Sequence, residues 1–78
     1  MEELVMYLAK SLVDNPDDVV VKRVDKSADE VTIELNVHPD DMGKVIGKQG
    51  RIAKAIRTVV KAAAVKEDKH IRYHVDIV

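Results

Sequence analysis

Two short segments of alternating hydrophobicity constrain this chain more than anything else in it. Over residues 30–37, Val31, Ile33, Leu35 and Val37 alternate with Thr32, Glu34 and Asn36. Over residues 71–77, Ile71, Tyr73, Val75 and Ile77 alternate with Arg72, His74 and Asp76. A period of two sends successive side chains to opposite faces, so each segment is a strand with one buried and one wet face. A sheet that is apolar on one face must be covered. In 78 residues the cover can only be a single layer of helices.

The rest of the chain supplies those helices. Leu4, Val5, Leu8, Leu12 and Val13 recur at helical spacing over residues 2–13, and Asp14-Asn15-Pro16 stops that helix. The β-branched run of residues 18–25 predicts a strand, and Lys26-Ser27-Ala28-Asp29 a polar turn that makes a hairpin with the strand at 30–37. Pro39-Asp40-Asp41 opens a brief helix carrying Met42, Val45 and Ile46. After Gly50 a longer helix runs from Arg51 to about Val65. On a helical wheel Ile52, Ile56, Val59, Val60 and Ala63 share its apolar side, and Arg51, Lys54, Arg57 and Lys61 the opposite one. Lys66-Glu67-Asp68-Lys69 is a polar loop. Tyr7 and Tyr73 fall on predicted core faces, which leaves no aromatic platform for stacking nucleic-acid bases. The order is α-β-β-α-α-β. A two-helix crossover over residues 38–69 returns the last strand parallel to residues 30–37. The expectation is one α+β domain spanning 1–78, with three helices packed on one face of a three-stranded mixed sheet.

Composition removes several functions. Without Cys there is no disulfide framework and no thiolate zinc site. No apolar run approaches the roughly 20 residues of a membrane span, and residues 1–13 carry acids where a leader peptide wants bases. A soluble cytoplasmic chain without membrane association is expected. No Ser/His/Asp or Cys/His set suggests catalysis, so neither an enzyme nor a cofactor is expected. His70 and His74 share the wet face of a strand with Arg72 between them, and no metal site is predicted there. A mononucleotide loop fails too: Gln49 stands where a magnesium-binding hydroxyl is required.

Charge is more informative by position than in sum. The net charge is −1, which at first argues against a polyanionic partner. Between Gly43 and Lys66, however, stand Lys44, Lys48, Arg51, Lys54, Arg57, Lys61 and Lys66 with no acid, while all 14 acids and the other six bases lie elsewhere. A +7 segment thus sits on a −8 body. A solvated helix normally pairs its lysines with glutamates four residues away, and this one does not. Its missing counter-charges suggest an external anion. Within the segment, Gly47-Lys48-Gln49-Gly50 joins the brief helix to the longer one. Glycine permits backbone angles closed to other residues and lets another backbone approach closely. The amides that open the next helix at Arg51 and Ile52 favour an anion. With Val45, Ile46 and Ile52 beside it, the turn suits a single strand whose phosphates meet the loop and whose bases meet an apolar shelf.

The Val-Ile-Gly-Lys-Gln-Gly peptide, in this element order, resembles the KH domain in its type II arrangement. Residues 40–64 resemble the small bacterial single-KH RNA-binding proteins of the KhpA type, and the resemblance extends over essentially the whole chain. It implies a groove for about four nucleotides of single-stranded RNA, clamped by the GXXG loop. The site residues it implies are Lys44, Val45 and Ile46 before the loop, Gly47, Lys48, Gln49 and Gly50 within it, and Arg51, Ile52 and Lys54 after it. The 66–69 loop would form the opposite edge of the groove. The resemblance also implies a homodimer, or a heterodimer with a larger KH protein, and a role as RNA chaperone or post-transcriptional regulator of modest sequence specificity. Two alternatives stay open: a protein–protein adaptor or ribosome-associated factor with a secondary nucleic-acid groove, and single-stranded DNA as the ligand.

Overall fold

A computed structural model covers residues 1–78. Helix α1 (Glu2–Leu12) is followed by strands β1 (Val20–Ser27) and β2 (Glu30–Asn36), helix α2 (Met42–Ile46), helix α3 (Arg51–Glu67) and strand β3 (Arg72–Ile77). Single 3₁₀ turns occupy Pro16–Asp18, Pro39–Asp41 and Lys48–Gly50. The sheet order is β1-β2-β3, with β1 antiparallel and β3 parallel to the central strand. Architecture and crossover match the sequence expectation. No helix is long and apolar enough to cross a membrane.

The alternation sets the register. Val31, Ile33 and Leu35 of β2 stand opposite Tyr73, Val75 and Ile77 of β3, and all project toward the helices. With Val5, Ala9, Val19, Val37, Val45, Ile56 and Val60 they build the core. Covering this much apolar surface stabilises a chain of this size chiefly by removing it from water.

Several local expectations need correction. Strand β1 starts and ends two residues later than its β-branched run suggests, running on to Ser27 through an irregularity between Asp25 and Ser27. Pairing with Glu30 holds Ser27 in the ladder, so the turn itself is tighter than predicted. Helix α3 extends to Glu67, because the high helix propensity of Ala62, Ala63 and Ala64 carries it past Val65. The following connection is therefore 68–71 rather than 66–69. The buried stripe of α3 is Ala53, Ile56, Val60 and Ala64, whereas Val59 is 41% exposed. Compared with the predicted side, this stripe is rotated by roughly 60° on a wheel of 100° per residue. The apolar arc of α3 is wider than the arc it buries, and small alanines take the interior positions.

Tyr7 is not a core residue: it is 70% exposed. Helix α1 buries Val5 and Ala9, one turn apart, which turns Tyr7 outward. Tyr73 is half-buried and packs against the core.

Candidate nucleic-acid interface

The GXXG turn begins where α2 runs out. The Gly47 amide closes α2 by donating to the Gly43 carbonyl, and Gly47 then adopts φ 75°, ψ 174°. That region is open essentially to glycine alone. A Cβ there would lie 2.2 Å from Cγ1 of Ile52 and 2.9 Å from its backbone nitrogen, so α3 starts directly behind this residue. Gln49 (φ 57°, ψ 25°) and Gly50 (φ 75°, ψ 16°) both take left-handed conformations, and the Gly50 amide donates to the Gly47 carbonyl at 3.2 Å. The result is a tight projecting turn with the Lys48 and Gln49 side chains in solvent.

The predicted site residues divide into three groups. Lys48, Gln49, Arg51 and Lys54 are exposed on the turn and the first turns of α3, with Gly47 and Gly50 as the backbone that shapes them. Ile46 is partly exposed and offers an apolar patch beside the turn. Val45 is fully buried in the core, so it anchors α2 rather than meeting a ligand. Ile52 is half-buried, wedged behind Gly47 and facing α1. Both residues read as apolar shelf in the sequence because their α2–α3 neighbours are apolar, but the sheet and α1 claim them first.

Lys44 is engaged within the molecule. Its Nζ donates to Oδ2 of Asp14 and lies 3.8 Å from Oδ1 of Asp41. The Asp14 hydrogen bond raises its pKa above the ordinary lysine value despite some desolvation. Asp41 is a buried carboxylate, 1% exposed. Burial opposes its ionisation, but the Asn15 side-chain amide (3.0 Å), the backbone N–H groups of Asp14 (3.3 Å) and Asn15 (3.0 Å), and Lys44 together bring its pKa below the ordinary carboxylate value. Asp41 thus pins the segment after α1 to the start of α2. Nothing in the sequence flags this contact across 26–27 positions, where Asp41 reads only as an acid opening a helix.

The sequence also leaves a second basic surface unassigned. A cleft between α3 and the edge strand β3 is lined by Arg57, Lys61, Tyr73, His74 and Val75, and continues toward Lys69 and Arg72. Arg57 is fixed there, its Nε donating to the Val75 carbonyl at 3.2 Å. Their spacing on α3 carries the signal: Arg57 and Lys61 are four residues apart, on the same helix side as Lys54. Of the seven bases between Gly43 and Lys66, Lys44 alone has a carboxylate within 4.0 Å. No group of three or more His, Cys, Asp or Glu side chains is placed to hold a metal ion.

Three helices on one face of a β1-β2-β3 mixed sheet, with a GXXG turn between the second and third, define a KH domain of type II. The chain belongs to the KhpA/KhpB KH-domain family, whose model matches residues 2–77. It is 65% identical over 71 residues to a protein named RNA-binding protein KhpA from Clostridium perfringens, covering 91% of this chain and 93% of that one. The protein of the same name from Clostridium acetobutylicum is 62% identical over 71 residues, with the same coverage. Among solved structures, Era from Aquifex aeolicus superposes with a TM-score of 0.74 at 20% identity, over 97% of this chain and 29% of the larger Era chain.

Proposed function

We propose that this protein binds single-stranded RNA with low sequence specificity, gripping about four nucleotides at the GXXG turn. It acts in the cytoplasm as an RNA chaperone or post-transcriptional regulator and carries out no catalysis. The observation that carries the reading is the run of six bases on the turn and along α3 that lack any carboxylate within 4.0 Å, starting at a turn whose first residue, Gly47, lies in a backbone region open essentially to glycine. Bases held without counter-charges are a standing electrostatic invitation to a phosphate backbone. The naming of close relatives as RNA-binding proteins supports RNA over DNA.

Lys48 and Gln49 would meet the phosphates, Arg51 and Lys54 would extend the track, and Ile46 would pack against a base. Arg57 and Lys61 would continue the cationic wall along the α3–β3 cleft. The test is the double variant Lys48→Asp, Gln49→Asp. Both side chains are solvent-exposed, so circular dichroism should stay native while binding to a short single-stranded RNA is lost. Full binding by that folded variant would remove the assignment.

We further propose pairing with a second KH chain, a copy or a larger relative, through the groove between α1 and α3. Tyr7, Leu8, Leu12, Ile52 and Val59 line it, and Ser11 is its one polar side chain. The alternative role as an adaptor would use this same groove.

A further inference from the structure

Lys44 stands one helical turn before Gly47, where its ammonium would add a phosphate contact to the GXXG turn, but a carboxylate from outside the basic segment already holds it. That carboxylate is delivered by the fold. The Asp14 backbone N–H donates to Asp41 Oδ1, and its neighbour Asn15 donates through both its backbone and its side chain to Asp41 Oδ2. Buried Asp41 therefore fixes the backbone at residue 14, and the Asp14 side chain reaches Lys44 Nζ from there. The pair itself is open to solvent, with Lys44 43% and Asp14 75% exposed. A carboxylate and a phosphate offer an ammonium the same kind of anionic oxygen, so an exposed pair of this kind can be displaced by an incoming strand, at a cost in affinity.

We propose that Asp14 is a built-in competitor for phosphate at Lys44, restraining the affinity of the GXXG turn and ending the cationic track at α2. The inference rests on the RNA-binding reading above. Asp41 Oδ1 also stands 3.8 Å from Lys44 Nζ, but its carboxylate is buried and already accepts from the Asp14 and Asn15 N–H groups, so Asp14 is the exposed carboxylate that an incoming strand has to displace. Because the staple to Asp41 uses the backbone N–H of residue 14, a side-chain change at that position leaves the staple in place.

Asp14→Asn is therefore the informative variant. Releasing one further phosphate contact steepens the slope of log affinity against log salt by about 0.7 and tightens binding about fivefold near 0.1 M salt. Asp17→Asn removes the same charge from an exposed side chain that bonds no lysine, and should change affinity far less. In a Lys44→Gln background, Asp14→Asn should lose its effect, because the cation it releases is gone. Binding to a single-stranded oligonucleotide across a salt series, for the single and double variants, reads all of these. A gain in Asp14→Asn no larger than that of Asp17→Asn, or one that persists without Lys44, overturns the proposal. The loop variant Lys48→Asp, Gln49→Asp separates the two levels: if it abolishes binding while Asp14→Asn is silent, only the competitor idea fails. If it binds RNA normally, the underlying reading fails.

Discussion

At the scale of single residues, the three glycines of the basic segment have three different consequences. Gly47 lies in a backbone region that other residues do not enter, with Ile52 directly against it. Gly47→Ala combines backbone strain with a clash and should cost at least about 2 kcal/mol. Gly50 is left-handed but faces open space, so Gly50→Ala should cost only about 1 kcal/mol. Gly43 sits inside α2 with nothing near its missing side chain, and Gly43→Ala should stabilise by roughly 0.5–1 kcal/mol. Thermal melts of the three variants would order them, with shifts of about 4–8 °C per kcal/mol for a domain this small. Equal losses at 47 and 50 would contradict the geometry. Asp41 makes a pH prediction. Its folded pKa lies below the ordinary value of 3.8, so the stability it contributes is fully present above that value and is lost as pH falls through the lower folded one. Asp41→Asn should lower Tm at neutral pH and flatten the acid limb of the Tm–pH curve below about pH 4. An acid limb identical to that of the parent would show that the staple contributes nothing.

At the scale of elements, the strands were the legible part and the helix faces only half so. Alternation over 31–37 and 71–77 needs no partner to be read, since a period of two leaves one choice of buried face. The apolar arc of α3 offered several choices. The sheet settled the matter by drawing in Ala53 and Ala64 and leaving Val59 outside. The turn at 47–50 was legible because its two glycines answer to local backbone geometry. The engagement of Lys44, the burial of Val45 and the outward turn of Tyr7 were not, because each depends on what a distant element does. The same distinction predicts stability. Val60 of α3 is 1% exposed and Val59 beside it is 41% exposed. Val60→Ala should cost about 1–3 kcal/mol, while Val59→Ala should cost under about 1 kcal/mol in the unpaired chain. Denaturant titrations of the two variants would show whether the rotated face is the true one.

At the scale of the whole molecule, α3 separates two surfaces of opposite character. On one side Arg57 and Lys61 line the cleft toward β3, and on the other Ile52 and Val59 line the apolar groove toward α1. A ligand on the first does not cover the second, so strand binding and pairing are compatible on one chain. The distribution of charge adds a constraint. All 14 acids lie outside the +7 segment, so the proposed strand would be attracted to that segment and repelled by the rest of the chain. With about three phosphates neutralised, log affinity should fall against log salt with a slope of about −2 per chain. The proposed pairing through the groove would bring a second copy of that face and raise the effective concentration of one site for a strand held by the other. Val59→Glu places a charge in the groove's wall at a position already open to water, so the fold should persist while pairing is lost. Sedimentation at micromolar concentration should then show a dimer for the parent and a monomer for the variant, with the salt slope per chain unchanged. On an RNA long enough to span two sites, the parent should bind more tightly than the variant, whereas on a four-nucleotide strand the two should match. A parent chain that sediments as a monomer would remove the pairing, and the phosphate-binding face would then have to act alone.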